Sequence, residues 1–132
     1  MQKYNPIFKE KVKAKIRAEL VLDKNNKPIF VPVGSLRHYK VKLRLDTKNP
    51  EVERVVYRLD PTYYDPVREA TDPENGFEIE TTTYGDYPFI VDVQLGAETI
   101  RQELHLSDLL EEAYAKVKSS EIKRALKEIE DH

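Results

Sequence analysis

Five of the eight tyrosines, Tyr57, Tyr63, Tyr64, Tyr84 and Tyr87, fall between positions 57 and 87 of the 132-residue chain. Tyr63-Tyr64 and Tyr84/Tyr87 stand in two separate turn-like segments, one after an apolar run at 52–59 and one before a run at 88–95. Tyrosine provides a rigid, amphipathic contact surface at low entropic cost, so clustering it on loops suits recognition. In an antiparallel sandwich the two turns can meet at one end. For Tyr57, inside an alternating run, packing within the sandwich is the expectation. For the loop tyrosines recognition and edge packing both stand.

Catalytic chemistry has thinner material. The chain has no Cys, which excludes disulfides, thiolate zinc sites and cysteine nucleophiles together. His38, His105 and His132 lack metal-ligand spacing, and the first two sit on or beside expected strands. Val33-Gly34-Ser35 forms neither a nucleophile elbow nor a phosphate loop. Glu78 and Glu80 share one strand face, as paired glycosidase carboxylates would, but acids at i and i+2 are ordinary on an exposed strand. The expectation is no enzyme, no metal and no cofactor.

Composition points the same way. Hydrophobic residues make up 39% and charged residues 35%, enough for one core under a densely charged surface. No apolar run approaches the ~18 residues of a membrane span, and Met1 to Pro6 carries no apolar signal core. A cytoplasmic module without membrane contact is expected. The net charge of -2 argues against general nucleic-acid binding, yet it hides an asymmetry. Residues 1–58 hold a balance of +9 and residues 59–132 one of -11. Between 60 and 92, nine acids face only Arg68. Either the halves neutralise each other across a folded sheet, or the acidic stretch steers a basic, Lys-rich partner. Lys11, Lys13, Lys15 and Arg17 alternate with apolar positions and would line one exposed basic face.

The elements that must position the tyrosines read as strands. Val12, Ala14, Ile16, Ala18, Leu20 and Leu22 alternate with mostly charged residues, the period of a half-buried strand. After the turn cluster at 23–28, Ile29-Phe30-Val31 starts a short or edge strand flanked by Pro28 and Pro32. Tyr39, Val41, Leu43 and Leu45 alternate again; Val52, Val55, Tyr57 and Leu59 follow. Residues 60–76, with Pro61, Pro66, Pro73 and Gly76, read as one long ordered loop. Strands are expected at 77–81, 88–95 and 99–106. Seven or eight short strands with regular turn signals indicate an all-β, immunoglobulin-like antiparallel β-sandwich.

A C-terminal helix is expected to close the chain, with Ser107 as its N-cap. Leu110, Tyr114 and Val117 form one stripe and Ile122, Leu126 and Ile129 another, rotated by about 120°. The slip falls at Ser119-Ser120. Either the helix breaks there or its far half serves a second surface, such as a self-partner. The division expected is a sandwich domain at 1–106 and a helical extension at 107–132.

Residues 56–66, Val-Tyr-Arg-Leu-Asp-Pro-Thr-Tyr-Tyr-Asp-Pro, resemble the segment of the YEATS-domain family that joins a strand to a Ser/Thr-aromatic turn. Gly76-Phe77-Glu78-Ile79 resembles the strand that follows, and Thr83-Tyr84-Gly85-Asp86-Tyr87-Pro88-Phe89 resembles the family's Gly-(Trp/Tyr)-(Gly/Ala)-x-Phe turn. The likeness covers roughly 10–106 in matching order and is nearest to the prokaryotic branch. It implies an immunoglobulin-like sandwich without enzyme activity and, by analogy with eukaryotic members, a loop-end channel for acylated lysine. Carried over by position, Tyr63 and Tyr84 are the implied aromatic walls, Thr62 the hydroxyl on the acyl amide, and Tyr87 a supporting wall. Gly85 and Asp60 complete the implied ligand-binding set. The chain departs from the family pattern with Asp60 in place of histidine, Thr83 in place of glycine, and no aromatic near Ser35-Leu36.

Asp60 bears most on the guest. A carboxylate lining the channel favours a cationic lysine, as aromatic cages flanked by acids do, whereas one that only caps the 60–62 turn has no bearing on which guest is preferred. The expected partner is a lysine-containing protein or peptide. The rival expectation is an assembly domain that makes its contacts through the sandwich and the helix at 107–130.

Overall fold

The computed structural model describes residues 14–132. Val12, the expected start of the first strand, and Lys11 and Lys13 of the expected basic face lie outside the described residues. Among the described residues the strands run in chain order as β1 (Ala14–Leu20), β2 (Phe30–Val33), β3 (Leu36–Thr47), β4 (Val52–Arg58), β5 (Val67–Ala70), β6 (Ile79–Thr83), β7 (Pro88–Leu95) and β8 (Glu98–His105). Two helices follow, α1 (Leu106–Ala113) and α2 (Ser120–Asp131).

All strand pairs are antiparallel and fall into two four-stranded sheets. β3 is the spine of the first. β1 pairs with its residues 41–47 and β2 with residues 36–39 along one side, while β6 pairs with residues 39–43 along the other. The second sheet has the order β5-β4-β7-β8. Together the sheets form the immunoglobulin-like sandwich that the alternation implies.

The period of two on β3 converts directly into burial. Tyr39, Val41, Leu43 and Leu45 are buried, while Lys40, Lys42 and Arg44 take the other face. Val52 and Val55 are three positions apart yet both buried, because the β4–β7 register shifts between Val52 and Arg54. Such a bulge inserts one residue and returns the alternation to phase for Tyr57. Phe89, Val91 and Val93 on β7 complete the layer, each side chain contributing about 1.5–3 kcal/mol by leaving water. Tyr57 is wholly buried, and its hydroxyl donates to the Phe77 carbonyl at 2.6 Å. It belongs to the core, as its run implies.

Part of the charge asymmetry is neutralised across the fold. Arg37 pairs with Glu128, Arg58 with Asp92, Lys42 with Glu78, and Lys15 with Glu112, each cation from the basic half and each acid from the acidic half.

Several expectations need correction. The segment 60–76 is not one loop: it contains β5, which adds an edge to β4, and a 3-10 turn at Pro73–Asn75 capped by Asp72. Four short residues beside three prolines show too little alternation to betray a strand. The strand expected at 77–81 runs at Ile79–Thr83, because Gly76 and Phe77 adopt positive φ and delay it. The edge strand includes Pro32, which an edge tolerates because it needs no donor on its open side.

The single closing helix is in fact two. Ser107 is not an N-cap, since His105 holds that position and Ser107 N–H donates to Asp86 Oδ1 at 2.9 Å. Ser119 caps α2 instead, its hydroxyl accepting from Ile122 N–H at 3.3 Å. The 120° slip between stripes is therefore a break, after which α2 folds back. Ile122, Ala125 and Ile129 are buried within this chain, so that stripe is not a second surface left for a partner. Tyr114 holds α1 to the sandwich, its hydroxyl accepting from Leu20 N–H at 2.9 Å.

Candidate functional site

Strand register brings the two tyrosine turns together. Arg58 on β4 lies opposite Ile90 on β7, so the chain leaving β4 emerges beside the chain entering β7. Leu59 N–H donates to the Pro66 carbonyl at 2.7 Å and closes the first loop at its neck.

Asp60 shapes that loop. Its Oδ1 accepts from Thr62 N–H at 2.9 Å and from the Thr62 hydroxyl at 2.8 Å, and its carbonyl accepts from Tyr63 N–H at 3.1 Å. This is an Asx turn, in which a short carboxylate replaces a backbone partner. The Thr62 amide, and then its hydroxyl, hold the Asp60 carboxyl below the usual carboxylate range. The turn aims Tyr63 inward, where its hydroxyl donates to the Thr82 carbonyl at 2.6 Å. Burial pushes the Tyr63 phenol up. Tyr64, by contrast, is fully exposed and takes no part.

The second turn joins β6 in one sheet to β7 in the other. Thr83 is buried, and its hydroxyl donates to the Gly85 carbonyl at 2.5 Å and accepts from Gly85 N–H at 3.2 Å. A side-chain turn thus does here what the implied glycine would do through backbone freedom. Gly85 is required by close approach, because a Cβ there would stand 2.7 Å from the His132 carbonyl carbon. Asp86 pins the turn to both helices. Its N–H donates to the Ile129 carbonyl at 2.9 Å, its Oδ1 accepts from Ser107, and its Oδ2 lies 3.4 Å from His105 Nδ1.

Tyr87 forms the floor between the loops. Its ring meets Tyr63 edge-on at 5.4 Å and Phe89 at 6.2 Å. It is 7% exposed, and its buried hydroxyl has no hydrogen-bond partner. Burial raises this phenol far above its usual range. Tyr84 stands at the rim, 45% exposed, its ring 5.2 Å from that of His38 on β3.

Asp60, Thr62, Tyr63, Tyr84, Gly85 and Tyr87 therefore line one cavity of about 60 Å³, joined by Thr83, Asp86 and His132. Reasoning from sequence missed those last three. The Thr-x-Gly spacing is a recognisable side-chain turn signal for Thr83, but nothing local announces Asp86 or His132, whose roles depend on where α2 docks. A larger groove of about 420 Å³ beside Tyr114 is lined by Arg17, Glu19, Arg44 and Asp46, whose charges pair with one another. Among the described residues no three His, Asp or Glu side chains gather as a metal site. Aromatic faces, a free phenol and a threonine hydroxyl suit the flat end of a largely apolar side chain carrying one or two hydrogen-bonding groups.

The description "prokaryotic YEATS domain" matches residues 39–107, slightly more than half of the chain. Solved structures share the fold. One is a YEATS domain of Yaf9, with a TM-score of 0.51, 18% identity, and coverage of 70% of this chain and 74% of that one. The Yaf9 YEATS domain bound to H3K27ac matches at TM-score 0.51 and 18% identity over 70% of this chain and 72% of the other. The yeast AF-9 homolog protein Yaf9 matches at 0.51 and 19% identity over 80% and 78%. No curated protein matches the sequence.

Proposed function

The chain belongs to the prokaryotic YEATS domain family, and from that premise we propose that it is a non-enzymatic recognition module that takes the tip of an acylated lysine from a peptide into the Tyr63/Tyr84 cleft. The observation that carries this reading is the single cavity that the rings of Tyr63, Tyr84 and Tyr87 line together with Thr62. A secondary amide brings one acceptor and one donor. Thr62 Oγ1, whose own proton goes to Asp60, accepts from its N–H. The acyl tail lies against the rings of Tyr63 and Tyr84.

Asp60 is engaged within its own turn rather than with the guest. Its Oδ1 is committed to the Thr62 amide and hydroxyl, which spread its charge into the turn. Asp86, which lines the cleft, adds negative charge that attracts the basic residues accompanying lysine in a Lys-rich segment. The Yaf9 domain described as bound to H3K27ac shares this fold, which supports a peptide guest.

Calorimetry against acylated, methylated and unmodified forms of one lysine peptide tests the reading. Measurable heat is expected with the acylated form alone and is lost in Tyr84→Ala. Equal, negligible heats with all three forms would make the tyrosines scaffold and overturn the proposal.

A further inference from the structure

The cleft admits little more than a side-chain tip, so a peptide held there must gain affinity from neighbouring surface. One such surface adjoins it. On the first sheet Val31 lies opposite His38, and Val33 opposite Leu36, across the β2–β3 hairpin. Positions of equal parity share a face, so Val31, Val33, Leu36 and His38 project together on the outer side. Tyr84, one residue beyond β6 and two beyond Thr82, which pairs with Lys40, meets His38 ring to ring at 5.2 Å. Val31 is 48% and Val33 52% exposed, beside a Tyr84 that is itself a wall of the cleft. A largely apolar strip, Tyr84, Leu36, Val31 and Val33 around the imidazole of His38, therefore leads from the cleft mouth to the hairpin tip, with Lys40 next on the same face.

We propose that this strip is the second half of the binding surface: it receives an extended peptide segment that carries an apolar side chain two to four residues from the inserted lysine. The spacing follows from strand geometry. From Tyr84 across β3 to β2 is two interstrand steps, about 10 Å, and an extended peptide covers that in roughly three residues. The acids near the cleft act on the lysine's basic neighbours on one side, and the strip acts on the apolar residue on the other. This inference rests on the acyl-lysine reading of the cleft.

The test uses two acetyl-lysine peptides, one with leucine at the positions two to four residues from the lysine on both sides and one with serine there. Fluorescence polarisation is read on the wild-type chain and on Val33→Glu, whose exposed position lets the fold persist, as circular dichroism checks. The leucine peptide is expected to bind about tenfold more tightly than the serine peptide, and Val33→Glu to abolish that advantage while still binding the serine peptide. Equal affinity of the two peptides for wild type overturns the strip and leaves the cleft reading intact, as does a leucine advantage that survives Val33→Glu. No binding of either peptide overturns both.

Discussion

Individual tyrosines divide by what surrounds them, and their truncations should separate accordingly. Tyr84 is half exposed at the rim, so Tyr84→Ala should change stability by less than about 1 kcal/mol while removing peptide binding. Tyr57 is wholly enclosed and hydrogen-bonded, so Tyr57→Ala should cost about 3–5 kcal/mol. Urea unfolding monitored by circular dichroism distinguishes them. Asp60→His tests the turn: with the carboxylate committed to Thr62, the change should leave the preference for acylated over unmodified lysine in place. A preference for unmodified lysine in wild type that disappears in Asp60→His would mean that the acid faces the guest. Asp92 supplies a pH dependence. Hydrogen bonds from Arg101, then from Arg58, hold its buried carboxyl below the usual carboxylate range. A depressed folded pKa contributes stability above the unfolded value of about 3.9 and loses it as pH falls through the lower folded value. Thermal melts from pH 7 to pH 2 should therefore show an acid-side loss that is smaller in Asp92→Asn.

At the scale of elements, α2 decides how closed the cleft is. Its last turn rests on the β6–β7 turn through the Asp86 to Ile129 hydrogen bond, and His132 stands where any side chain on residue 85 would go. Gly85→Ala should push these apart and reduce hydrogen-exchange protection at the Asp86 amide, whereas the β3 amides keep theirs. Unchanged protection at Asp86 would show that α2 yields without cost. Ile129→Ala, at a fully buried position, should cost about 2–5 kcal/mol, as expected of core truncation rather than of a free helical extension.

Across the whole molecule, sandwich and helices share one core. Leu106, Leu110 and Ile129 are as buried as Val91 and Leu43. Unfolding should therefore be a single transition, with the helical signal at 222 nm and the near-ultraviolet tyrosine signal melting together. A helical signal lost at lower temperature than the tyrosine signal would mean an independent extension. The chain by itself determined the sandwich, because side chains on a pleated strand alternate and the apolar positions of 14–20 and 39–45 alternate with them. It also located the tyrosine turns, since turn composition and aromatic clustering are local properties. The six residues on them were implied by the family resemblance, and the fold gathers them at one cavity. Long-range packing decided the rest. The bulge that places both Val52 and Val55 inside depends on the partner strand. β5 is too short to have a period of its own. The fold-back of α2, the roles of Asp86 and His132, and the meeting of Tyr84 with His38 each join residues far apart in sequence, and no local pattern records which surfaces will meet.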